Sequence, residues 1–468
     1  MAEKAVSRPS KPYTIPRLVL DQARVSDEVL NHRFDGSGTE DDPYIVTFIP
    51  NDQGNPFNWS KSRRWTICMI VAMETLCTAF ASSAFSGTIR ELIIHFRISV
   101  ELVTAGISLF VLGFAVGPLI WAPLSELVGR QIVFAITFAL FTIFNAAGAG
   151  ANNTASVLVF RFFAGAFGAS PLTNGGGVIA DIFPVNERGI AMSIFALAPS
   201  AGPTLGPAIA GFLGENEGWR WVMGLLAIFS GIFWLLGMAF VPETYAPVLL
   251  RKRAAKLSKM TGKVYKSKID ADRGPVKFVS VMKTALLRPF VLLFLEPIVL
   301  ILSIYLAIVY GTLYLLFGAF PIVFQTARGW SEGVGGLAFL GVLVGMVLAI
   351  VYTGWANKKY VQTAQKNGGV APPEARLPPA MVGAIAIPIG MFWFAWTSVP
   401  VSIPWILPVM AGAPFGFGLT LIFLAITNYL IDAYTIFAAS VLAANTVLRS
   451  LFGAVSPHSH PLLAVFAY

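Results

Sequence analysis

Charge is scarce in this chain. Only 12% of its 468 residues are Asp, Glu, Lys or Arg, about half the share of a soluble domain. Cysteine is scarcer still: Cys68 and Cys77 are the only two, nine positions apart on one expected helix. At a rise of about 1.5 Å per residue they are too distant to bridge, so no disulfide framework is expected. The four histidines, His32, His95, His458 and His460, are scattered and give no metal site. Gly175-Gly176-Gly177 follows no strand and precedes no Lys-Ser/Thr, and no Walker sequence occurs elsewhere. That argues against a nucleotide-powered pump. The chain has no nucleophile–base set to make an integral-membrane enzyme, and no cofactor is expected beyond a proton gradient. A cleavable leader is not expected either.

What is abundant is apolar sequence, 56% of the chain. Runs of roughly 20 apolar residues, enough to cross a bilayer, recur throughout. Eleven helices are expected, at 65–87, 101–125, 131–151, 155–182, 189–213, 219–241, 290–318, 333–355, 380–398, 402–431 and 433–455. The implied fold is an all-α integral membrane protein of two helical bundles. Residues 1–64 are polar and are expected to be a disordered cytoplasmic tail. A six-helix bundle follows over 65–241, then a basic loop over 242–289, then five spans over 290–455. The last thirteen residues, 456–468, leave no room for a twelfth helix. The second bundle therefore reads as truncated, with its C-terminus outside.

Arg251 to Arg288 holds twelve Lys/Arg and only Asp270 and Asp272 as acids. The net charge is +9, and the basic residues concentrate there and in the N-terminal tail, beside membrane segments. That placement fits anionic lipid rather than nucleic acid. With the N-terminus inside, the cytoplasmic flanks collect 21 basic residues against 4 outside, which fixes the orientation. The sequon Asn152-Asn153-Thr154 then lies outside but hugs the membrane, so it is expected to be unmodified, and Asn58-Trp59-Ser60 lies inside.

Ionisable residues inside apolar helices cost a few kcal/mol unless they face protein or water. Glu74, nine residues into the first span, and Glu296, six residues into the seventh, hold similar places in the two halves. Burial favours the protonated form of a carboxylate, so both are proton-carrier candidates; an inter-helix hydrogen bond is the plainer alternative. Arg161, in the fourth span, cannot lose its proton and must find a carboxylate, a carbonyl or water. A coupling role beside a carboxylate is expected for it, whereas Arg449 is expected to snorkel to the outer interface. In the fifth span Pro199, Pro203 and Pro207 form a stripe beside Gly202 and Gly206. Small residues permit close helix contact and prolines remove backbone bonds, so a hinge or seal is expected. Between the second and third spans, Glu126 and Arg130 are four apart, close enough to pair or to engage neighbouring helix ends. With Gly129 and Asp181 they form a candidate cytoplasmic latch. Tyr305, Tyr310 and Tyr314, with Trp393 and Trp396, are candidates for lining a substrate cavity, and Asn445 is added to them; packing is the competing role.

Taken together these residues resemble the major facilitator superfamily, and within it the fungal drug:proton antiporters of the twelve-span branch. The resemblance runs from about Asn55 to Val455. It is carried by Asn55-Pro56-Phe57-Asn58-Trp59-Ser60, Ser125 through Arg130, Arg161 with Gly165, Gly202-Pro203 to Gly206-Pro207, Leu295-Glu296-Pro297-Ile298, and Asn428 to Gly453. In the loop signature Glu126 stands where an Asp is usual, and Leu127 and Gln131 replace basic residues. The resemblance implies alternating access driven by the proton gradient, with export of small apolar or cationic compounds such as drugs, toxins, secondary metabolites or polyamines. Partners are then a small-molecule substrate, protons and the lipid bilayer, for a monomer of the plasma membrane or, second, the vacuolar membrane. A non-transporting sensor, an inactive truncated transporter and a proton-driven uptake symporter are the alternatives.

Overall fold

The structure is a computed structural model that describes residues 19, 21–273, 278–367, 371–398 and 401–456. The expected atypical tail, with His458 and His460, and the start of the N-terminal segment lie outside the described residues. Among the described residues eleven helices are long and apolar enough to cross a bilayer, as expected. The first bundle holds α1 (Lys61–Ala84), α2 (Val100–Val128), α3 (Arg130–Ala149), α4 (Thr154–Ile182), α5 (Val185–Glu217) and α6 (Trp219–Phe240). The second holds α7 (Pro297–Phe320), α8 (Leu340–Lys366), α9 (Pro378–Ser398), α10 (Ile406–Ala433) and α11 (Ala438–Val455). Side-chain oxygens start several of them: Ser60, Ser99 and Asn153 accept from Arg63, Leu102 and Ser156 N–H groups at 3.4, 3.3 and 2.8 Å. These bonds satisfy donors that a helix start leaves orphaned.

Within the first bundle α1 packs on α5, α2 on α4 and α3 on α6. The second repeats the pattern, with α7 on α11 and α8 on α10, as repeated bundles should. The halves meet where α2 touches α11 and where α5 touches α8 and the short helix Glu332–Leu337 before it. Large rings fill the interior, among them Phe110, Phe138, Phe141, Tyr314, Phe320 and Phe415. Ile136, Ile143, Leu235, Phe392 and Trp396 point outward, where hydrocarbon is the solvent.

Two expectations are corrected. Residues 21–64 are not a disordered tail. Tyr44–Val46 (β1) pairs in parallel with Tyr265–Ser267 (β2) of the central segment, Tyr44 opposite Tyr265 and Val46 opposite Ser267. Val29, Phe34 and Val46 share an apolar cluster with Leu250, Ala254 and Leu257 of the helix Ala246–Thr261. Beside it Arg253 pairs with Asp52, both side chains buried. The polar segment orders because the central segment offers it an apolar stripe and a buried counter-charge. The second correction concerns the seventh span. A separate helix, Phe278–Leu295, leads into it, and the chain breaks at Glu296 (φ −105°, ψ 100°) before Pro297 begins α7. Proline pushes the residue before it out of the helical region.

Candidate transport and gating sites

The end of the first bundle that carries the central segment, here the basic end, is organised around Arg130. Its backbone begins α3 just after Gly129, which holds φ +109°. A Cβ there would strike the Glu243 carboxylate, so glycine is required twice over. The Arg130 Nε donates to Asp181 Oδ2 at 3.1 Å and an Nη to Ser125 Oγ at 2.8 Å. The Tyr245 ring lies 5.0 Å from the guanidinium. Glu243, 1% exposed, accepts backbone N–H groups from Arg130 (3.0 Å), Gln131 (3.3 Å), Thr244 (3.0 Å) and Tyr245 (2.9 Å). Arg130 and Asp181 are thus brought together, but Glu126 is exposed and makes no bond to Arg130. The break at Gly129 ends the helix between them, so the expected four-residue pairing geometry is lost. Glu243 was not among the sequence candidates. Its signal is the Pro242-Glu243-Thr244 sequence directly after α6, an acid where an uncapped helix end meets another helix start.

The α5 stripe runs through one unbroken helix. Gly202 lies against Ala79 and Phe80, and Gly206 against Ser83 and Ala84, so close that any Cβ would collide with α1. Pro203 and Pro207 are buried and Pro199 is half-buried. Further along, at the far end of the bundle, the Pro207 carbonyl abuts Gly336, Gly211 abuts Glu332 and Gly333, and Phe212 covers Gly333. Gly333 N–H donates to Glu215 Oε2 at 3.3 Å. One stripe therefore packs α5 onto its own bundle and onto the other.

The three proton-coupling candidates are not brought together. Glu74 is 3% exposed and faces inward to its own bundle. One oxygen presses on Gly237 of α6 and the other, Oε2, is enclosed with no hydrogen-bond partner. Phe134, Trp234 and Met238 line the small cavity beside it. Arg161, 2% exposed, meets no carboxylate. It donates to the carbonyls of Ala81 (2.9 Å), Ser82 (3.4 Å) and Gly106 (3.2 Å). Its guanidinium lies over Phe110 at 4.0 Å and Phe85 at 4.7 Å. Glu296 is not within a span; it sits at the break before α7 and accepts the Tyr434 hydroxyl at 3.1 Å. Burial, more than that carboxylate, raises the Tyr434 phenol to about 12, so it stays a donor.

Of the cavity candidates, Tyr310 and Tyr314 form a relay into the first bundle. Their hydroxyls are 3.3 Å apart, and Tyr314 reaches Ser82 Oγ at 3.2 Å. Tyr305 and Trp393 are half-buried, while Trp396 is 74% exposed and faces outward. Asn445 is buried on α11 with its Nδ2 unpartnered. Arg449 does not snorkel. One helical turn beyond Asn445, it lies over Tyr310 at 4.7 Å and Phe423 at 4.9 Å. The two rings hold it at mid-helix.

A family model described as Major Facilitator Superfamily matches residues 71–457. The chain is 61% identical, over 96% of its length and 74% of theirs, to the Major facilitator superfamily multidrug transporter mdrA of Aspergillus fumigatus. It is 59% identical to the MFS-type efflux pump MFS2 of Trichophyton rubrum, covering 96% of this chain and 76% of that one. To the Efflux pump FUBT of Fusarium oxysporum it is 51% identical, covering 95% and 75%. Among solved structures, the proton:xylose symporter XylE bound to 6-bromo-6-deoxy-D-glucose superposes with a TM-score of 0.61 at 18% identity, over 87% of this chain and 90% of that one. The chain belongs to the Major Facilitator Superfamily, a family of multi-pass membrane transporters and not of enzymes.

Proposed function

We propose that this chain exports small, largely apolar compounds by alternating access in exchange for protons, with its basic end in the cytoplasm. The observation that carries the reading is how the bundles join. Each basic-end cluster closes within one bundle: Arg130, Asp181 and Glu243 in the first, Arg376, Asp432 and Tyr360 in the second. Among the described residues no ion pair joins the bundles. They meet through small residues and the Gly333–Glu215 bond at the far end and the Tyr314–Ser82 bond in the middle. Such contacts separate and re-form without stripping a buried charge of its partner, the costly event in low dielectric.

Glu74 is the proton carrier in this reading, because an enclosed carboxylate oxygen with no partner favours a bound proton. Arg161 holds α1, α2 and α4 together beside the pathway instead of tuning Glu74. The export direction draws on the named efflux pumps among the relatives. Reconstituted vesicles with an imposed pH gradient test both claims. Gradient-driven substrate movement is expected in the wild type, and E74Q is expected to abolish it while substrate exchange without a gradient continues. Transport indifferent to collapse of the gradient would sink the coupling.

A further inference from the structure

The layer where the bundles meet holds two guanidiniums, Arg161 and Arg449, and neither pairs with a carboxylate among the described residues. They differ in how they are satisfied. Arg161 spends its donors on three carbonyls. Arg449 has only ring faces, and its Nε is enclosed without a hydrogen-bond partner. A ring stacked on a guanidinium screens the face of the cation, but its N–H donors lie in the plane, and the enclosed Nε has no acceptor. An arginine cannot escape this by deprotonating.

A second donor waits beside it. Asn445 precedes Arg449 by four residues, so both lie on one side of α11, roughly 6 Å apart along the axis. Asn445 is 4% exposed and its Nδ2 is also without a partner. The Tyr310 and Phe423 rings against Arg449 offer apolar and π surface, and the Tyr310 hydroxyl is shared with Tyr314. The one buried mid-helix carboxylate among the described residues, Glu74, faces α6. A cationic substrate would thus meet fixed like charge here and find no counter-ion.

We infer that Arg449 and Asn445 form an anion subsite that takes the carboxylate of an amphipathic organic acid, its apolar body lying on Tyr310 and Phe423. A guanidinium receives a carboxylate through two parallel N–H bonds, and the Asn445 amide would supply a third donor. The assignment rests on the export reading for its role in transport. The site itself is tested by binding alone.

The full chain in phosphatidylcholine nanodiscs would be titrated with 1-naphthoate and with 1-naphthamide, its uncharged match. The acid is expected to bind about tenfold more tightly, the equivalent of one charge-assisted hydrogen bond. In R449Q that ratio is expected to fall to about one, and in R449K to be partly kept, since lysine retains the charge without the fork. Equal wild-type affinity for acid and amide, or no saturable binding of either, overturns the subsite. So does an R449Q protein of native elution volume with an unchanged ratio. Should R449Q fail to fold, the wild-type ratio and N445A, expected to lower the ratio about threefold, decide the matter. Displacement of naphthoate by adding phosphatidylglycerol to the discs, and not by excess free acid, would assign the pair to lipid and overturn a substrate role. Loss of vesicle efflux with the binding ratio intact would instead count against the export reading.

Discussion

The basic ends of the two bundles solve one problem with different depth. In the first, Arg130 meets Asp181 with side chains 11% and 18% exposed, and Glu243 ties down four backbone donors behind them. In the second, Arg376 meets Asp432 at 2.8 Å with 24% and 26% exposed, and Tyr360 adds a hydroxyl at 3.0 Å. Asp181 and Asp432 each close the same position of their bundle, near the end of α4 and of α10. Glu243 follows the sixth span of its bundle, whereas five spans of the second bundle are described. The ion pair itself recurs in both bundles. The buried version is a structural joint, and the wetter version is free to break and re-form.

That contrast can be tested from its strongest side downward. E243A would leave four backbone donors without their acceptor and is expected to cost about 3–5 kcal/mol, read as a collapse of the monodisperse fraction and of the thermal transition in detergent. If E243A were no worse than D432N, the two ends would be equivalent and the contrast void. G129A places a side chain at a strained φ and against Glu243, and is expected to cost about 1–3 kcal/mol in the same assay. D432N, at the more exposed pair, is expected to cost about 1 kcal/mol or less and to alter transport rate more than melting. The smallest effect concerns the central segment. Hydrogen bonds from Arg251 hold the Asp270 carboxyl below its ordinary 3.8. A depressed native value means the pair's contribution is complete above about pH 4 and is lost as pH falls through the native value. The protection factor at 265–267, taken relative to the intrinsic exchange rate at each pH, should therefore fall in acid, and D270N should remove that fall.

The spans were legible because bilayer thickness demands long apolar runs, and Arg130 with Asp181 were legible because charge at a helix end needs a partner. Glu243 was not, since two of its four partners are backbone groups 112 and 113 residues earlier and no spacing links them. The Glu126–Arg130 pair failed for a local reason, the left-handed glycine between them. Composition misjudged residues 21–64: few apolar side chains are enough when Leu250, Ala254 and Leu257 receive them. Arg449 was misread because distance along a helix says nothing of the rings on neighbouring helices that hold it.

The parallel strand pair has a mechanical consequence. Trp59 and the helix after it belong to the first bundle's core, so pinning β2 to β1 anchors the central segment to that side up to Ser267. Only ten residues, 268–277, then separate the anchor from the helix that leads into the second bundle. A chain of that length reaches at most about 35 Å when fully drawn out. In the proposed alternating-access cycle this segment is a short tether, and its reach bounds how far the bundles can swing apart.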